Sequence, residues 1–163
     1  MISEDPSFRS QTAYDLDNSG IEFMYNKLKQ PIINSLSQFG LKAEKFKIRA
    51  IQLTQTPKGG YGNTHNDGVP ASNETPLREF SFLYYPASLP VAFTGGDLLL
   101  YDTNFKSNTF KSNLTKISLS PNSFVLFPRY FYHEITQIES PSPLAWEDGR
   151  FAILVWIKVD DGY

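Results

Sequence analysis

The chain's pattern predicts a mainly β fold carrying one amino-terminal helix, closed as a double-stranded β-helix, or jelly-roll barrel. Three observations lead there: a single stretch at helical spacing near the start, then eight short β-prone runs set off by Gly, Pro, Asn and Ser clusters, and the apolar character of both faces of the last of these runs. Apolar residues at Ile21, Tyr25, Leu28, Ile32, Leu36 and Phe39 fall on one helical face, with Asp17, Asn18 and Ser19 as cap candidates and Gly40 as the stop. Pro31 is a point at which this helix could break. The β-prone runs are Phe46–Thr56, Asn63–Asp67, Glu79–Tyr85, Asp97–Tyr101, Leu114–Leu119, Ser123–Phe127, Phe131–Ile138 and Phe151–Val159. Many short strands at such spacing suit a jelly roll. The two-faced apolar character of Phe151–Ile157 predicts a strand buried on both sides, with the helix as one cover.

At 163 residues, 1–163 reads as a single domain: a polar arm over 1–13, a helical part over 14–40 and a barrel over 44–163. A formal net charge of −2, from 15 basic and 17 acidic residues, lacks the basic excess that nucleic-acid binding needs. With no cysteine there is no disulfide frame and no thiolate zinc site, so any metal must be held by nitrogen and oxygen. No apolar run is long enough to span a bilayer, and the first residues lack the basic and apolar regions of a secretion signal; a cytoplasmic setting without membrane contact is the expectation. The triplets Asn73-Glu74-Thr75 and Asn113-Leu114-Thr115 carry no weight as glycosylation sites without that signal. Nothing in the sequence specifies an oligomeric state.

Two stretches imitate other sites and fail on inspection. Asp15-Leu16-Asp17-Asn18-Ser19-Gly20 opens like a calcium loop, but its twelfth position is Asn26 where a bidentate Glu is required, so it reads as a helix cap. Pro57-Lys58-Gly59-Gly60-Tyr61-Gly62 is glycine-rich, yet no Lys-Ser/Thr ending and no helix follow; it reads as a loop at the barrel mouth, a substrate lid in function.

The chain has two histidines, and each lies in a phrase suited to iron. His65 and Asp67 are two apart, which in a strand turns both side chains to one face, while His133 belongs to a distant strand whose neighbours Tyr132 and Glu134 face the other way. Two imidazoles and one carboxylate form the facial set that holds non-haem Fe(II) with positions left open. A three-histidine site is excluded for want of a third histidine, and a structural zinc site would want a fourth ligand. Zinc-type hydrolysis at the same three residues would need a general base, for which Glu134 faces the wrong way.

Taken in order, Thr64-His65-Asn66-Asp67, Arg78 to Tyr85, Thr94-Gly95-Gly96-Asp97-Leu98, Leu119 to Phe127, Tyr132-His133-Glu134-Ile135 and Gly149-Arg150-Phe151-Ala152-Ile153-Leu154-Val155-Trp156 resemble the Fe(II)/2-oxoglutarate dioxygenases of the prolyl 4-hydroxylase type. The resemblance runs from about residue 46 to the end and keeps the family's order. It implies a double-stranded β-helix with Fe(II) held by His65, Asp67 and His133, 2-oxoglutarate as cosubstrate, O₂ as oxidant, and ascorbate as an optional reductant. It further implies that Arg150 pairs with the distal carboxylate of 2-oxoglutarate, a role suited to a planar guanidinium fork, with Arg129 or Lys158 as substitutes. A tyrosine assists in the family; of Tyr84 and Tyr85, which face opposite ways, Tyr85 is favoured by its place at the strand end. Trp156 shares the inward face with Arg150, Ala152 and Leu154 and is expected near the iron ligands. The Ile138–Gly149 interval is longer than the family's usual spacing, and Ser140-Pro141-Ser142-Pro143 reads as an extended turn within it.

The activity so implied is hydroxylation of a C–H bond with release of succinate and CO₂. A prolyl residue in a peptide or protein is the expected substrate, with a free amino acid or another small molecule as the alternative; Tyr61, Arg129, Tyr132 and Trp146 are candidate contacts in the polar loops. A non-catalytic jelly-roll binding module is the competing class, but it gives no use for three intact metal-type residues and a carboxylate-binding arginine together. Gly95-Gly96 reads as a strand entry, and Phe80, Phe82, Phe93, Phe124 and Phe127 as core.

Overall fold

Alternation along the last strand organises the molecule. The computed structural model describes residues 11–41, 46–68, 79–86, 90–118 and 120–159. The order is β1 (Thr12–Asp15), α1 (Asn18–Gln38), β2 (Phe46–Thr56), β3 (Gly62–His65), β4 (Glu79–Tyr85), β5 (Thr94–Gly95), β6 (Leu98–Asn104), β7 (Thr109–Ile117), β8 (Ser123–Pro128), β9 (His133–Ile135), β10 (Ile138–Glu139), a 3₁₀ turn (Trp146–Asp148) and β11 (Arg150–Val159). One sheet runs β1-β2-β11-β4-β8, a second runs β3-β9-β6-β7, and β10 pairs with β5 beside them. The fold is mainly β, with the sheet pair of a jelly roll and one helix.

β2 and β4 pair with both edges of β11, which leaves its two faces to be covered by other elements. Ile153, Val155, Ile157 and Val159 point to α1, where they pack with Leu28, Ile32 and Leu36 and with Phe80 and Phe82 of β4. Ala152 points the other way, into a second cluster with Leu83, Tyr85, Leu98 and Phe127 between the sheets, against which Leu154 and Ile135 pack. The two-faced apolar sequence is thus answered by a helix on one side and the opposing sheet on the other.

The helix starts where the cap candidates stand: the Asp17 carboxylate accepts from the Gly20 backbone N–H at 2.7 Å and from the Ser19 hydroxyl at 2.8 Å. These bonds draw the Asp17 carboxyl below its ordinary pKa, with the Gly20 bond the larger cause. It does not break at Pro31; residues Asn18–Gln38 form one helix. A proline removes one ladder bond, but Leu28, Ile32 and Leu36 are pinned to the sheet on either side of it. Ile21 and Phe39, the outermost of the predicted apolar positions, remain 39% and 46% exposed, although Phe39 still packs its ring on Phe80 of β4 at 5.3 Å.

Several boundaries differ from the sequence expectation. The helical part does not begin at residue 14 and the arm does not end at 13, because Thr12–Asp15 forms a strand against Gln52–Gln55. Eleven strands, not eight, are described. The run Phe131–Ile138 splits into β9 and β10, and the Ile138–Gly149 interval is not a plain extended turn, since its start pairs with Thr94–Gly95 and its end winds into the 3₁₀ turn. Most of the 1–13 arm, the triplet Asn73-Glu74-Thr75, Arg78 and Leu119 lie outside the described residues. Among the described residues, no helix is long and apolar enough to cross a membrane.

Candidate active site

His65 ends β3 and His133 begins β9, and the two residues face each other across that strand pair. Their rings lie 4.3 Å apart between centroids. The His65 Nδ1 atom is 2.7 Å from the Asn63 carbonyl oxygen, and the His133 Nδ1 atom is 3.0 Å from that of Phe131. A carbonyl can only accept, so both rings carry their proton on Nδ1 and turn the Nε2 lone pair to the site. Burial holds His133 below the ordinary imidazole pKa, which the Asp67 charge partly opposes. Its neutral, metal-binding form is therefore the stable one near neutral pH.

Asp67 completes the group. Its Oδ1 atom lies 3.7 Å from His65 Nε2 and 3.9 Å from His133 Nε2, and one donor atom from each of the three residues falls within 4.8 Å of the others. Two lone-pair nitrogens and one carboxylate oxygen around a common point suit a divalent ion of the iron class, and three protein donors leave coordination positions for other ligands. The expected route to this geometry needs correcting: β3 ends at His65, so Asp67 is not a strand neighbour of His65. Asp67 is instead held by groups absent from the sequence reading. The Ser81 hydroxyl of β4 donates to its Oδ2, and the Arg129 side chain donates to its carbonyl. With Oδ2 engaged, Oδ1 is the oxygen turned to the histidines.

Deeper between the sheets, Arg150 opens β11 with only 2% of its surface exposed. Its Nε donates to the Gly96 carbonyl at 3.0 Å, and its guanidinium carbon stands 5.0 Å from the centre of the Tyr85 ring. Among the described residues its Nη2 is a buried donor without a partner, and the hydroxyl of Thr56, its register partner on β2, is in the same state. Orphaned donors around a buried cation are costly unless an anion joins them. Burial lowers the Arg150 pKa while Tyr85 and Asp97 oppose that effect, and burial raises Tyr85, which keeps its hydroxyl a donor. The cradle fits a carboxylate held by Arg150 Nη2 with hydroxyl support.

The remaining expected contacts separate. Tyr84 hydrogen-bonds Asn122 at 2.7 Å and packs with the helix-side cluster, while Tyr85 lies between the sheets. Trp156 is half-buried and registers with Ser81, the residue that bonds Asp67. Tyr132 turns away from His133, packing on Phe110 at 4.7 Å and donating to the Asn108 carbonyl at 3.2 Å. Tyr61 is half-buried in the loop before β3. Trp146 packs at 4.9 Å on Phe151, whose side chain points opposite to Arg150, and donates to Tyr14 at 3.1 Å; the structure puts it outside this group. Arg129 is engaged with Asp67 and Glu79 and offers no open fork to a ligand.

Sequence reasoning passed over Ser81, Thr56 and Gly96. Gly96, at φ +72°, gives Arg150 its acceptor and its space: a Cβ there would stand 2.7 Å from Arg150 Cδ. The signal existed in the paired glycines of Gly95-Gly96, read only as a strand entry. Ser81 and Thr56 had none, being single polar residues on inward strand positions.

Fold and site together define a class of non-haem iron protein. Residues 51–158 match the model of the 2OG-Fe(II) oxygenase superfamily, and the chain belongs to that superfamily, whose members use Fe(II), 2-oxoglutarate and O₂. It is 31% identical over 134 residues to an uncharacterized PKHD-type hydroxylase of Synechocystis sp., covering 81% of this chain and 43% of that protein. The chain thus spans less than half the length of this curated relative. Solved structures share the fold at low identity. A prolyl-4-hydroxylase of Pseudomonas putida gives a TM-score of 0.60 at 14% identity over 98% of this chain and 77% of its own. The viral collagen prolyl hydroxylase of Paramecium Bursaria Chlorella virus-1, in a 2OG complex, gives 0.63 at 16% identity over 96% and 82%.

Proposed function

We propose that this protein is an Fe(II)- and 2-oxoglutarate-dependent dioxygenase that hydroxylates a C–H bond, with a prolyl residue of a peptide or protein as substrate. One observation carries the reading: two Nδ1-tied imidazoles and a carboxylate oxygen converge on one point, while a buried guanidinium with an unpaired Nη2 waits between the same sheets. When bound, Fe(II) and 2-oxoglutarate supply O₂ activation, oxidative decarboxylation to succinate and CO₂, and delivery of one oxygen atom to carbon, with ascorbate as an optional reductant.

The chain's own residues bind and orient. His65, Asp67 and His133 would hold the metal, with the Nδ1–H bonds to Asn63 and Phe131 fixing the ring planes. Arg150, Thr56 and Tyr85 take the distal carboxylate of 2-oxoglutarate, and Gly96 keeps Arg150 Nε aimed. Ser81 engages Oδ2 of Asp67, so Oδ1 is the carboxylate oxygen that would be offered to the metal. The apolar walls of Leu83, Leu98, Phe127 and Ala152 exclude water from the cosubstrate's inner end. The prolyl reading is supported by the prolyl hydroxylases among the solved structures that share the fold.

The test is succinate formation from 2-oxoglutarate under air by Fe(II)-loaded protein, with and without proline-containing peptides. Turnover that disappears in His133→Ala, and in Arg150→Ala at low 2-oxoglutarate, is the expected result. A peptide that raises the rate identifies the prolyl substrate, whereas stimulation by a free amino acid alone would replace it with a small one. A wild type that neither turns over nor binds 2-oxoglutarate would overturn the reading in favour of a binding module.

A further inference from the structure

We propose that Arg129, oriented by Glu79 and seated over Gly68, is a positioning residue for Asp67; the inference rests on reading His65, Asp67 and His133 as a metal site. Asp67 lies beyond the end of β3 and has no strand ladder to fix it. Its main chain is tied to Arg129 in both directions. The Asp67 N–H donates to the Arg129 carbonyl at 3.0 Å, and the Arg129 Nε donates back to the Asp67 carbonyl at 3.1 Å, with Nη2 donating to that same oxygen. A forked donor on one carbonyl fixes the peptide plane from which the Asp67 side chain departs, as a single donor would not.

Arg129 is in turn held by Glu79 at two points. The Arg129 N–H donates to the Glu79 carbonyl at 3.1 Å, and Nη1 meets Glu79 Oε2 at 2.8 Å. The pair is partly shielded, with the side chains 28% and 13% exposed, so it is firmer than an ion pair in open solvent. Gly68 makes the seat. It stands at φ +144°, and a Cβ there would lie 2.9 Å from Arg129 Cζ, so any side chain would push the guanidinium off the Asp67 carbonyl. Glu79 and Ser81 belong to the same strand, so β4 reaches Asp67 by two routes: through Arg129 to its backbone and through the Ser81 hydroxyl to its Oδ2. The carboxylate is thereby fixed at both ends, with Oδ1 left toward the two Nε2 atoms.

The experiment titrates Co(II) into the metal-free protein without 2-oxoglutarate, by calorimetry and by visible absorption, for wild type, Arg129→Met, Arg129→Lys and Gly68→Ala. Circular dichroism confirms that each is folded. Removing a partner that orients a metal ligand weakens binding by roughly 10–100-fold. Arg129→Met and Gly68→Ala are expected to show that loss and a changed Co(II) band, although they act from opposite sides of the contact. Arg129→Lys is expected to recover part of it through one remaining donor. A purely structural Arg129 would lower the melting temperature of its variants yet leave the affinity and band of the folded protein alone. Folded Arg129→Lys and Gly68→Ala that match wild type in both readouts would overturn the proposal, and they decide it if Arg129→Met does not fold. A wild type that binds no Co(II) would instead overturn the metal-site reading, and the positioning role with it.

Discussion

Gly96 makes room for Arg150 by having no side chain. Its carbonyl receives Arg150 Nε at 3.0 Å, and its left-handed backbone at φ +72° is one that an L residue resists. Gly96→Ala should therefore strain the turn and push the Arg150 arm away from the cradle that Thr56 and Tyr85 share. The expected outcome is a raised KM for 2-oxoglutarate with metal affinity unchanged, since the side chains nearest to a Cβ at Gly96 are those of Ile138 and Arg150. Arg150→Ala removes the cation itself. Loss of one partner of a buried, hydrogen-bonded charge pair costs about 2–5 kcal/mol, so 2-oxoglutarate binding should weaken by at least ~30-fold. Calorimetric titration of the Mn(II)-loaded variants with 2-oxoglutarate separates the two effects. Equal metal loss in Gly96→Ala would show that the cradle and the metal group are not independent.

At the scale of elements, α1 and β11 were the most legible parts of the sequence, one by an apolar stripe at helical spacing and the other by a continuous apolar run. The stripe through Leu28, Ile32 and Leu36 and the two-faced run through Ile153 and Val155 meet in one cluster, as their patterns require. Ile32 has none of its surface exposed, so Ile32→Ala should lower the unfolding free energy by about 2–5 kcal/mol in denaturant titration. Pro31 is the counter-case, kept in the helix by packing against its own preference. Pro31→Ala should raise stability by on the order of 1–3 kcal/mol if the helix closes the missing bond without repacking. What was illegible lies where local pattern ends. β1 and β5 are strands of four and two residues that exist only through their partners. Asp67 was found by its spacing from His65, but the strand assumed for it stops at His65 and long-range bonds from β4 and the residue after β8 replace it. Ser81, Thr56 and Arg129 gain their roles from the register between strands, which a single sequence does not display.

For the whole molecule, the candidate site divides between the sheets. His65 and His133 belong to β3 and β9 of one sheet, whereas Ser81, Tyr85 and Arg150 belong to β4 and β11 of the other. Neither sheet alone presents both the metal group and the carboxylate cradle, so the unfolded chain, or one in which the sheets have separated, should have little affinity for the pair of ligands. Metal and 2-oxoglutarate together should then act as a clamp between sheets and stabilise folding by mass action. At a free concentration of a hundred times Kd, one ligand adds about 2.7 kcal/mol. For a domain of this size that corresponds to a rise of roughly 5–10 °C in melting temperature. The measurement is a thermal unfolding series with Mn(II) alone, 2-oxoglutarate alone, and both. Wild type should gain most with both present. Asp67→Ala should lose the metal increment, and with it most of the cosubstrate increment, because the keto-acid end of 2-oxoglutarate would lack its metal. Arg150→Ala should retain the metal increment and lose only the second. Increments that merely add would mean that the two half-sites do not cooperate, and a wild-type melting temperature indifferent to both ligands would mean that neither binds; in both cases the clamp between sheets would have to be abandoned.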